Sequence, residues 1–168
     1  VGHEARPVAS WGGGAGSRWF EEKPVAINVK NMLDAKGRDV VTVKADMTLL
    51  EVARILNDNK IGAVVITGVE GRVAGIFTER DLVRAVAGSG ASVLDQPVRS
   101  AMTATVQRCS EETTVDELMG MMSSGRFRHV PVEQDGKLAG IVSIGDVVKS
   151  RMREIEFEAE QIKAYIAG

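Results

Sequence analysis

The chain writes one short phrase twice, "GIFTERD" from Gly75 to Asp81 and "GIVSIGD" from Gly140 to Asp146. Each runs glycine, isoleucine, an apolar residue, a hydroxyl residue, two variable positions and an aspartate, and the copies stand 65 positions apart. Working outward, the match widens. "EGRVAGIFTERDLV" (Glu70–Val83) answers "DGKLAGIVSIGDVV" (Asp135–Val148) at the same offset. "VTVKADMTLLEVARIL" (Val41–Leu56) answers "QRCSEETTVDELMGMM" (Gln107–Met122) at an offset of 66, and "VKNML" (Val29–Leu33) answers "VRSAM" (Val98–Met102). The one lost residue falls where "ITGVEG" shortens to "VEQDG", a turn of the kind that tolerates changes of length. A unit of about sixty residues therefore occurs twice, and self-similarity of that kind governs every later assignment.

Pattern predicts the same elements in both copies. "VVTV" (Val40–Val43) is β-branched and strand-like, and the Thr- and Asp-rich residues after it start a helix. Leu49, Val52, Ala53, Ile55 and Leu56 share one helical face, as do Val115, Leu118, Met119 and Met122. "IGAVVI" and "RHVPV" read as strands, with Gly71 or Gly136 in a tight turn leading to the next strand, and a second helix begins near Thr78 and Ser143. The predicted fold class is α/β: two pseudo-symmetric β-α-β-β-α units packed as one module, with a C-terminal helical extension. Neither unit buries enough apolar surface alone. The expected division is a leader over 1–25, a first unit over 26–90, a second over 91–150 and the extension over 151–168. The Met-rich "LMGMM" reads as core filling.

Composition narrows the function classes. The 168 residues hold 21 Lys and Arg against 23 Asp and Glu, without the basic excess of a nucleic-acid binder. The one cysteine, Cys109, cannot form an intramolecular disulfide, and with His3 and His129 it falls short of a structural zinc site. Cys109 aligns with the strand residue Val43, which predicts a buried, inert thiol. No apolar run is long enough to span a membrane and no secretory signal pattern appears, so the expectation is a soluble cytoplasmic protein. "WGGGAGS" (Trp11–Ser17) lacks the Gly-Lys-Ser/Thr of a phosphate loop and reads as a flexible leader or a cloning remnant.

The doubled unit resembles a tandem pair of cystathionine β-synthase (CBS) domains. The residues that carry the resemblance are "GIFTERD", "GIVSIGD", the "HVPV" strand at His129–Val132 and the two Gly hairpins, over roughly residues 26–149. Two readings of the repeated aspartate stand side by side. Thr78 to Asp81 and Ser143 to Asp146 have the form of a capping box, which by itself accounts for both residue types at that spacing. A carboxylate at a helix N-terminus can also accept hydrogen bonds from both hydroxyls of a ribose, and the free amides and dipole there favour an anion. Arg80, Arg126, Arg128 and His129 supply cationic partners for phosphate oxygens.

The resemblance implies adenosyl ligands in two clefts between the units, hence composite sites. One would join Ile76, Thr78, Arg80 and Asp81 with Thr105, Val106, Phe127 and Arg128. The other would join Ile141, Ser143 and Asp146 with Val41, Ile61, Gly62 and Ala63, and His129 would lie near the boundary of both. Arg80 faces Gly145 across the repeat, so the two sites are expected to differ in affinity or preferred ligand. The ligands expected are AMP, ADP, ATP, NAD(H) or S-adenosylmethionine, bound for regulation and read by an unidentified regulated protein acting in trans. No nucleophile–base pair argues for an enzyme. A ligand-free dimerisation module, with both aspartates serving as caps, is the alternative. Val148, Met152, Ile155, Ala159, Ile162 and Ile166 repeat at spacings of 4 and 3, a short seam that either folds back on the core or pairs with a second copy in a homodimer.

Overall fold

The computed structural model describes residues 26–168, and the expected leader lies outside them. The first helix, α1 (Val29–Lys36), starts at a reciprocal Asn28–Asn31 capping box. The first unit follows as β1 (Thr42–Val43), α2 (Leu49–Asn59), β2 (Ala63–Thr67), β3 (Val73–Thr78) and α3 (Glu79–Ser89). β1 lies parallel to β2, and β2 antiparallel to β3 with Val65 opposite Ile76. In the second unit the first strand shrinks to a single bridge, Cys109 parallel to Val132, followed by α4 (Val115–Gly125), β4 (His129–Gln134), β5 (Lys137–Ser143) and α5 (Ile144–Ala167). The duplicated β-α-β-β-α order is thus present, with the second copy's opening strand reduced to Cys109.

The turns and caps come in matched pairs. Glu70 and Gly71, like Asp135 and Gly136, both take positive φ, which gives the two-residue turn whose twist suits a hairpin. Thr48 with Glu51 and Thr114 with Glu117 form equivalent capping boxes on α2 and α4. Lys60 and Arg126 end those helices in the same left-handed conformation.

Two cores result, and the segments that cross between them were not predictable from the alignment. α1 precedes the first unit in sequence, yet Val29, Met32 and Leu33 are buried with Leu118, Val130, Val132 and Val142 of the second. Reciprocally, Val98 of the segment leading into the second unit is buried with Val43, Leu49, Val64 and Phe77 of the first. The backbone bonds are pseudo-symmetric. Val29 N donates to Thr113 O at 2.8 Å as Val98 N donates to Met47 O at 2.7 Å, and Lys30 N to Glu111 O as Arg99 N to Ala45 O. Burying a Val or Leu completely stabilises by about 1.5–3 kcal/mol, so each linker is held by the core it crosses to. The motif glycines make room for it. A Cβ on Gly75 would lie 2.6 Å from Met102 Sδ and 3.0 Å from Thr103 O, and one on Gly140 would lie 2.8 Å from a Leu33 methyl.

α5 follows the fold-back reading of the tail only through its first three turns. Val147 and Ser150 are buried and Glu154 accepts from Ile27 N at 3.1 Å, but every residue from Ile155 onward is exposed. The helix leaves the core after its third turn. No helix among the described residues is long and apolar enough to cross a membrane.

Candidate functional site

Thr78 stands where β3 passes into α3. Its amide and hydroxyl both donate to Asp81 Oδ2, at 2.9 and 3.0 Å, and Asp81 N donates back to Thr78 Oγ1 at 3.2 Å. The carboxylate is therefore a cap in fact, with its second oxygen unengaged by any of these bonds. It opens into a cleft of about 890 Å³ between the units. Ile76, Thr78, Arg80, Asp81, Thr105, Val106, Phe127 and Arg128, the eight residues expected at this site, all line that cleft, with His129 beside them. Thr103 holds the crossing segment against β3 by exchanging backbone hydrogen bonds with Ile76, and so sets Thr105 and Val106 on the wall.

Arg126, named as a cationic partner from the sequence, lines the cleft as well, and so do residues that the sequence did not place there: Glu79, Arg84, Gln107, Met121 and Ser124. Arg84 lies one helical turn beyond Arg80 on α3, a spacing readable from sequence. Arg126 arrives through the left-handed end of α4. Four arginines and two acidic residues, Glu79 and Asp81, thus line one cleft. Of the Met-rich stretch only Leu118 and Met122 are core, whereas Met121 lines the cleft and Met119 is 41% exposed. A shallower hollow of about 420 Å³ adjoins Phe127 and Arg128 and is floored by Met119, Met122 and Ile144.

The second motif has the same cap. Ser143 N and Oγ donate to Asp146 Oδ2 at 2.8 and 3.0 Å. Here, however, Lys36 Nζ lies 2.6 Å from the same oxygen and 2.7 Å from Ile141 O. Burial alone would push the Asp146 carboxyl up, but the hydrogen bonds from Lys36 and Ser143 outweigh it and hold the group below the ordinary carboxylate value. Val41 and Ile61 pack against the first core, Ala63 is buried in β2, and Ile141 and Ser143 are half-buried at the end of β5. Gly62, expected with this group, lines the Asp81 cleft, where Glu79 N donates to its carbonyl at 3.0 Å at the start of α3.

His129 sits at the junction. Its ring faces Gly62, where a Cβ would come within 3.2 Å of Cε1. Burial lowers its pKa, against the opposing pull of Glu79 and Asp146, while Lys36 and Arg128 lower it further. Cys109 is buried and its thiol is pushed up to about 12 by burial, so it is inert at neutral pH. Among the described residues no cluster of His, Cys, Asp and Glu could hold a metal ion.

Comparison with known proteins agrees with this architecture. The family model for the CBS domain matches residues 34–88 and 98–153. The solved CBS-domain containing protein of Agrobacterium tumefaciens is 61% identical with a TM-score of 0.72, over 74% of this chain and 98% of that one. A CBS domain protein of Pyrobaculum aerophilum complexed with AMP is 29% identical with a TM-score of 0.64, over 71% and 89%. A CBS domain pair in complex with 5′-methylthioadenosine and S-adenosyl-L-methionine is 25% identical with a TM-score of 0.68, over 77% and 98%. This chain spans about two thirds of the length of curated relatives that it matches. With two matched segments, a doubled fold and a cleft between the copies, the chain belongs to the CBS domain family and carries a tandem pair of its domains.

Proposed function

We propose that this chain is a regulatory module that binds an adenine nucleotide in the Asp81 cleft and passes its ligand state to a partner protein. The observation that carries this reading is one cleft, built from both units, that sets a ribose-competent carboxylate among four arginines. Asp81 keeps acceptor capacity for the two ribose hydroxyls while it caps α3. Arg80, Arg84, Arg126 and Arg128 supply charge-assisted bonds to phosphate oxygens. Ile76, Val106 and Phe127 offer apolar surface for the base. The cationic lining favours AMP, ADP, ATP or NAD(H) over S-adenosylmethionine, whose sulfonium is positive and which has no phosphate. The AMP and S-adenosylmethionine complexes of related CBS pairs support the adenosyl class.

A ligand that touches both units favours the arrangement in which both reach it, and so shifts the population of inter-unit states. That is a means of regulation rather than of catalysis. The apolar residues exposed on α5 support homodimerisation as a second part of the reading. Mass spectrometry of small molecules released from the denatured protein, with calorimetry against AMP, ADP, ATP, NAD(H) and S-adenosylmethionine, tests the proposal. Micromolar binding of a phosphorylated member is the expected result. Failure of all five to bind would leave the aspartates as caps and the chain as a dimerisation module.

A further inference from the structure

The two copies of the motif satisfy one backbone carbonyl in different ways. In the first, Ile76 O accepts from Thr103 N at 2.9 Å, and Asp81 receives only the donors of Thr78. In the second, the equivalent Ile141 O accepts from Lys36 Nζ, and the same ammonium reaches Asp146. Lys36 is the last residue of α1, and in the repeat it aligns with Thr105, a short neutral side chain on the wall of the open cleft. Asp146 Oδ2 therefore takes three donors, Ser143 N, Ser143 Oγ and Lys36 Nζ, where Asp81 Oδ2 takes two.

Oδ2 is fully engaged in both copies and Oδ1 takes no hydrogen bond in either, so what sets the Asp146 carboxylate apart is the Lys36 ammonium 2.6 Å from Oδ2, which neutralises it and stands beside it. A ribose brought to it would have to exchange a charged donor for neutral hydroxyls, which gives up a charge-assisted hydrogen bond. The pair is not sealed. The side chains of Lys36 and Asp146 are 32% and 20% exposed, so a competitor can reach them.

We propose that Lys36 is a built-in occupant of the second cleft, a tethered cation that holds Asp146 closed to ribonucleotide while Asp81 stays open. The proposal rests on the reading of these clefts as adenosyl sites and adds what makes them unequal. The difference lies in α1, which enters the second unit from the far end of the pair, and not only in Arg80 against Gly145.

Calorimetry with AMP on the full chain tests it in an Asp81→Ala background, where the first cleft is weakened. Asp81→Ala alone should weaken AMP binding at least about tenfold. Adding Lys36→Met should create a site at Asp146 at least about tenfold tighter than before, and Asp146→Ala should remove it again. Lys36→Arg should leave the cleft closed. Lys36→Gln, which keeps a donor for Ile141 O without the charge, serves if the Met variant unfolds early in a thermal melt. Two comparable AMP sites in the unsubstituted chain, or an Asp146 site that Lys36→Met leaves unchanged or weakens, would overturn the latch while leaving the clefts as nucleotide sites. Absence of AMP binding in every variant would remove both readings together.

Discussion

Gly75 and Gly140 show at the scale of single residues why the motif begins as it does. Each lies where a crossing segment presses on the sheet, and at Gly75 one of the neighbours is the fixed carbonyl of Thr103. Gly75→Ala should destabilise the fold by about 1–3 kcal/mol in urea unfolding, as overpacking usually does. Gly140→Ala, opposed only by the flexible methyls of Leu33, should cost less. His129 makes a prediction about pH. Burial sets its folded pKa below the ordinary 6.5, so below pH 6.5 the unfolded chain takes up a proton that the folded chain refuses. Stability should therefore fall as pH drops from 6.5 towards the folded pKa, and His129→Gln should flatten that part of a melting-temperature profile. Asp146, also lowered, adds a separate loss as pH falls through its own folded pKa, and that loss should shrink in Lys36→Met, which keeps only the Ser143 hydrogen bonds.

Capping boxes are the element-scale device that the sequence repeats most faithfully. Thr48 with Glu51, Thr78 with Asp81, Thr114 with Glu117 and Ser143 with Asp146 start the four duplicated helices. Thr114→Ala should cost about 1 kcal/mol of stability and leave AMP affinity unchanged, because that cap lies outside the cleft. Asp81→Ala should cost a similar amount and also weaken AMP binding at least about tenfold. These elements were legible because hydroxyl, carboxylate and glycine act on the backbone within a few residues of themselves. The eight residues expected with Asp81 came from the family resemblance rather than from pattern, and the fold brings them to one cleft because each lies on one of three short segments that a strand end or helix end fixes. The crossing of α1 and of residues 98–102 was not legible. Alignment shows that "VKNML" and "VRSAM" are equivalent but not which core each one fills. Lys36 escaped for the same reason, since its partner Asp146 is 110 positions away and the link depends on where α1 docks.

For the molecule as a whole, the two units share linkers rather than a single sheet, so a ligand bridging them acts on an interface already held by reciprocal buried segments. α5 projects from this body with Ile155, Phe157, Ile162 and Ile166 more than half exposed. Ending the chain after Glu154 should leave the melting temperature nearly unchanged, because the last tie to the core, Glu154 to Ile27 N, is kept. In the proposed homodimer the same truncation should lower the light-scattering mass towards that of a monomer, and an unchanged mass would place the contact elsewhere. The central claim is that Asp81 holds a ribose diol. Its most direct test is calorimetric comparison of AMP with 2′,3′-dideoxy-AMP on the intact chain and on Asp81→Ala. The account predicts that removing the hydroxyls or the carboxylate weakens binding by at least about tenfold, and that removing both costs little more than either alone. Equal affinity for the two nucleotides, or AMP binding undiminished in Asp81→Ala, would contradict it.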